Sequence, residues 1–69
     1  MDGYEDAVQA AGGKSALARG LGIRPESLYS WERVGTVPAE RVLAIWRLTG
    51  VSPHRLRPDL YPDPAWRPE

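Results

Sequence analysis

The sequence contains no cysteine. That excludes a disulfide framework and a thiolate metal site, leaves stability to packing alone, and fits a reducing compartment. No apolar run approaches the roughly 20 residues of a membrane-spanning helix. The first residues carry Asp2, Glu5 and Asp6 where a secretory signal would carry bases. A soluble, untargeted, cytoplasmic chain without a membrane partner is therefore expected. Strand-type alternation, internal repeats and low-complexity linkers are missing as well.

Catalytic and ligating groups are equally sparse. His54 is the single histidine, with no second soft ligand near it in the sequence, so no metal site is expected and a surface imidazole is the better reading. No cysteine, no nucleophile and histidine pair and no convergent carboxylate pair means no catalytic constellation. The chain is expected to be no enzyme and to use no cofactor or small-molecule ligand. Gly12-Gly13-Lys14-Ser15 mimics the end of a phosphate-binding loop, but the first required glycine would fall at Val8, and no strand precedes it.

A net charge of one sign is also lacking: nine bases meet nine acids. Neutrality argues against nucleic acid, because phosphate contacts supply most non-specific affinity. The distribution argues the other way. Residues 1–13 hold three acids and no base, residues 14–57 hold eight bases against three acids, and residues 58–69 hold three acids against one base. A basic middle lies between acidic ends.

What is present reads as helix throughout. At 69 residues a single small domain would bury only about 60% of its unfolded surface. A first helix is predicted over residues 3–11, capped by Asp2, with Tyr4, Ala7, Val8 and Ala11 on one face. Gly12 and Gly13 end it. A second helix spans residues 14–21, with Leu17, Ala18 and Leu21 inward, and Gly22 reverses the chain.

Pro25 suits the first position of a third helix running to Arg33 or Val34, with Gly35 as the stop. A fourth, over residues 38–49, offers Val42, Leu43, Ile45, Trp46 and Leu48 to the core. Ser52 and Pro53 open a last turn through Leu56. From Pro58 on, four prolines in eleven residues rule out helix and predict an extended or partly disordered tail. Trp31 and Trp46 are expected in the core. Leu60, Tyr61 and Trp66 are expected to fold back onto the body or onto a second subunit.

Residues 14–33 organise the rest. With Leu28 and Trp31 turned inward, a step of 100° per residue puts Glu26, Tyr29, Ser30 and Arg33 on the opposite arc and Ser27 at its edge. These side chains can meet base edges and phosphates. Lys14 and the free N–H groups of Gly13 to Ser15 make an anion site for a backbone phosphate. Ala18 must be small for the second and third helices to cross closely.

This twenty-residue stretch resembles the helix-turn-helix of the Cro and repressor (lambda-repressor-like, XRE) family. That family has apolar residues at the positions of Leu17, Leu21, Ile23, Leu28 and Trp31, a small one at Ala18 and usually glycine at Gly22. Residues 7–62 are also similar to YdaS-type antitoxins and small Cro-like regulators of prophage regions.

The resemblance implies an all-α, compact five-helix domain over residues 1–57, with residues 58–69 as a Pro-rich tail. It implies a recognition helix at about 25–34 in the major groove and a second helix crossing the phosphates. It further implies a homodimer on a palindromic operator in double-stranded DNA, acting as a repressor in the cytoplasm at the nucleoid. Alternatives are an antitoxin that also neutralises a toxin partner, and a protein-interaction module on the same fold.

Many family members carry Gln where this chain has Pro25. Base reading would therefore shift to Arg24, Glu26, Ser27, Tyr29 and Ser30, with Lys14, Ser15 and Arg33 on phosphate.

Overall fold

The computed structural model describes residues 2–67. Five α-helices form: α1 (Asp2–Ala11), α2 (Lys14–Leu21), α3 (Pro25–Val34), α4 (Val42–Thr49) and α5 (Pro53–Leu56), with a 3-10 turn at Ala39–Arg41 leading into α4. Among the described residues there is no strand. The cap expected of Asp2 falls on a side chain outside those described, as do Pro68 and Glu69 at the end of the tail.

Each helix is placed by an apolar stripe and a stop. Tyr4 and Ala7 of α1, Leu17 and Ala18 of α2, Leu28 and Trp31 of α3, Val42 and Ile45 of α4 and Leu56 of α5 form the core, together with Val37 from the loop before α4. Val8, Ala11, Leu21, Ile23, Val51 and Tyr61 pack around it. Val37 is fully buried; lying in a loop, it belongs to no periodic stripe that could mark it in the sequence.

The α2–α3 joint is built on Gly22. Its φ of 71° is left-handed, which a Cβ disfavours. The Gly22 N–H bonds to Arg19 O at 3.1 Å and the Ile23 N–H to Ala18 O at 3.0 Å. This pair of bonds satisfies the last carbonyls of α2 while Ile23 packs beside the core, as a Schellman closure requires.

Two expectations need correction at α4. Its first turn is a tight 3-10 turn rather than α-helix, with Arg41 N–H bonded to Pro38 O at 3.0 Å, a common way to enter a helix. Its apolar face is also narrower than the sequence suggests. Val42 and Ile45 are buried, whereas Leu43 and Trp46 are half-buried and Leu48 is 44% exposed. An eight-residue helix turns one stripe inward, and residues about 90° away lie on its flanks. Leu48 instead rests against α2, where a Cβ on Gly20 would lie 2.6 Å from Leu48 Cδ2.

The first and last helices meet. A Cβ on Gly3 would overlap the backbone of Arg55, so α1 and α5 approach as closely as glycine permits. Asp6 and Arg55 form an ion pair across the same contact. Ser52 caps α5 through its Oγ, which accepts the Arg55 N–H at 3.2 Å.

Beyond α5, residues 57–66 form two turns. Arg57 donates to Val37 O at 2.7 Å and grips both Asp59 oxygens at 2.9 and 2.7 Å. That bond holds the Asp59 carboxyl below its ordinary value and raises Arg57. His54 donates from Nδ1 to Tyr61 O at 2.8 Å. Tyr61 meets Trp66 edge to face at 4.7 Å. The fold-back expected of the tail therefore runs through Tyr61 and Trp66, with Leu60 left 46% exposed.

Candidate nucleic-acid interface

The helices α2 and α3 pack on one another, with Ala18 1% exposed and Leu17 and Leu28 fully buried in the core they share. Anchoring Leu28 and Trp31 fixes the rotation of α3 and therefore what it shows to solvent. Glu26, Tyr29 and Arg33 are exposed, and Ser27 and Ser30 are half-exposed. Arg24 is exposed at the N-cap, in extended backbone, directly before Pro25. The five side chains placed on the outer arc by helical spacing thus share one open face.

That face is chemically mixed. The Arg33 guanidinium lies 3.3 Å from Ser30 Oγ, a weak contact on the exposed side. Tyr29 is 53% exposed, and Lys14 Nζ lies 5.3 Å from the centre of its ring, within cation–π range. This contact joins the start of α2 to the open face of α3.

The expected anion site at the start of α2 differs in one donor. Gly13 N–H is taken by Val8 O at 2.8 Å, closing α1, so it is not free. Leu17 is the first residue of α2 whose N–H is accepted from before the helix, by Gly13 O at 2.9 Å. Between them, the Lys14 and Ser15 amides have no backbone acceptor among the described residues, and both residues are exposed.

Sequence reasoning missed the carboxylate that holds Lys14 and the hydroxyl that holds that carboxylate. Glu32 Oε2 receives the Lys14 ammonium at 2.8 Å and the Tyr4 hydroxyl at 2.6 Å. Hydrogen bonds from Lys14 and then Tyr4 hold the Glu32 carboxyl below its ordinary range, and the same Lys14–Glu32 bond raises the lysine. Burial, reinforced by Glu32, pushes the Tyr4 hydroxyl upward, so it remains a proton donor. Tyr4 and Glu32 lie 28 positions apart, and no local pattern could have joined them. The cluster edges an open groove of about 620 Å³ between α1 and the end of α3, with Val8 and Gln9 opposite Glu32 and Gly35.

Among the described residues no buried side-chain polar atom lacks a partner, and no helix is long and apolar enough to cross a membrane. On the α3 face, Arg33 and Ser30 bond to each other rather than to the core.

The model of a family described as "Bacterial toxin YdaS" matches residues 4–65. The chain is 43% identical over 60 residues to an Escherichia coli (strain K12) protein described as "Putative transcriptional regulator YdaS". That match takes in 83% of this chain and 61% of the other, so the chain spans about three fifths of this curated relative's length. Among solved structures it is similar to "the Cro protein from putative prophage element Xfaso 1 in Xylella fastidiosa strain Ann-1". The TM-score is 0.81 and the identity 40%, over 87% of this chain and 95% of that one. The chain belongs to the YdaS family and has the Cro-like helix-turn-helix fold.

Proposed function

We propose that this member of the YdaS family is a sequence-specific DNA-binding transcriptional regulator that inserts α3 into the major groove and lays α2 across the phosphates. The observation that carries this reading is the polar face of α3, open to solvent opposite the buried Leu28 and Trp31. Its likeness to a putative transcriptional regulator and to a Cro protein supports it. Arg24, Glu26, Ser27, Tyr29 and Ser30 read base edges, while Lys14, Ser15 and Arg33 hold phosphate. The protein acts in the cytoplasm at the nucleoid as a homodimer. It occupies a palindromic operator whose half-sites lie about 34 Å apart, and it represses by occluding a promoter.

Selection of bound sequences from random duplex DNA tests binding, symmetry and specificity together. A palindromic consensus is expected, with log K falling against log salt by about 0.9 per phosphate contact. Failure to enrich any sequence, with no salt-dependent affinity, would overturn the reading.

The family's description as a toxin favours a second reading, in which the chain also engages a protein of a toxin–antitoxin pair. The exposed Leu48 and Leu60 are the apolar groups available to α4 and the tail for that contact. Co-purification with the product of a neighbouring reading frame would distinguish it from DNA binding alone.

A further inference from the structure

We propose that Glu32 is a built-in brake on phosphate binding by Lys14, a regulation that rests on the DNA-binding reading above. The observation is the fixed cluster at the start of α2: Lys14 Nζ lies 2.8 Å from Glu32 Oε2, and the same oxygen takes the Tyr4 hydroxyl at 2.6 Å.

A phosphate can reach Lys14 in two ways, and Glu32 opposes both. If Lys14 stays where it is, a phosphate oxygen at charge-assisted hydrogen-bond distance from Nζ lies within about 6 Å of the carboxylate. That is shorter than the screening length of about 8 Å at physiological salt, so roughly half of the repulsion between the two anions survives screening. If Lys14 swings out instead, it must first break its bond to Glu32.

Tyr4 makes the brake stable. Its ring is 4% exposed and packs edge to face on Trp31 at 6.4 Å, so its hydroxyl is fixed in the core and holds the carboxylate in place. Glu32 cannot simply follow Lys14 outward. Neither is it orphaned when Lys14 leaves, because the Tyr4 bond remains. The exchange is reversible, and its cost falls on every DNA sequence alike, since phosphates carry no base identity. Glu32 therefore suppresses non-specific occupancy without choosing among operators.

The test is Glu32→Gln, which keeps an acceptor for Tyr4 and removes the charge, compared with wild type on random duplex DNA across a salt series. Circular dichroism establishes that both proteins are folded. The variant should bind several-fold tighter at low salt, and its log K should fall more steeply with log salt by up to about 0.9, the one phosphate charge whose neutralisation by Lys14 is no longer offset by Glu32. Adding Lys14→Ala should abolish that gain and cost more in the Glu32→Gln background than in wild type.

A wild type that binds with salt-dependent affinity beside a Glu32→Gln protein that binds no tighter would overturn the brake alone. So would a gain that survives without Lys14. Absence of salt-dependent affinity in both proteins would overturn the DNA-binding reading itself.

Discussion

In the DNA-binding reading, Pro25 limits what α3 can read. Its fixed φ and missing N–H suit the first helical position, but its side chain offers no donor or acceptor. Discrimination in the DNA-binding reading then falls to its neighbours, and Glu26 and Arg33 should behave differently. Glu26→Ala is expected to change which operator variants are preferred, by about 1–3 kcal/mol at one base pair. Arg33→Ala should weaken all sequences alike and lower the salt slope by about 0.9. Competition binding on single-base operator variants separates the two, and uniform loss in the Glu26 variant would count against base reading there.

Glu32 gives a pH prediction at the same scale. Its folded carboxyl lies below the ordinary 4.5 because Lys14 and Tyr4 bond to its charged form. A depressed carboxyl contributes stability in full above the ordinary value and loses it as pH falls through the folded one. The stability advantage of wild type over Glu32→Gln, followed by denaturant unfolding, should therefore hold above pH 4.5 and disappear in stronger acid. An advantage undiminished in strong acid would refute the assignment. The outward face of α3 was legible because Leu28 and Trp31 fix a rotation that periodicity can follow. The cluster of Lys14, Glu32 and Tyr4 was not, because tertiary packing draws it from the start of α2, the far end of α3 and α1.

At the scale of elements, the α2–α3 joint is the part most completely written in local sequence. Ala18 and Gly22 each have one physical reason to be small, one at the crossing and one at the turn. At Gly22 no atom lies within 4 Å of an added Cβ, so Gly22→Ala incurs backbone strain and no clash. It should cost about 1 kcal/mol, read as a lower denaturation midpoint with an unchanged m-value. An unchanged midpoint would mean that the closure by Gly22 and Ile23 adds little. The end of α4 was legible, but its tight 3-10 entry and its inner face were not. A run of five large apolar residues does not say which two the neighbouring helices will cover, and Leu48 found its contact on α2 at Gly20 instead.

At the scale of the whole molecule, a radius of gyration of 11.1 Å matches the ~11 Å expected of a compact chain this long. Prolines announced that the tail is not helical. They could not announce that His54, Arg57 and Val37 fasten it to the body, since those partners are set by the finished fold. Deleting residues 62–69 removes the Trp66 ring from Tyr61 and should cost about 1 kcal/mol, the worth of one edge-to-face pair. Unchanged stability by chemical denaturation would show that the tail merely rests on the domain.

The contact between Gly3 and the Arg55 backbone has a consequence in time. At about 5–20 residues per second, a ribosome needs several seconds after making α1 before it makes the segment against which Gly3 closes. During that interval the nascent α1 can pack only on the helices already made, and its seat against α5 stays empty. Completion of the domain therefore waits for the synthesis of α5, and a nascent chain stalled before Leu56 should remain open to protease at α1.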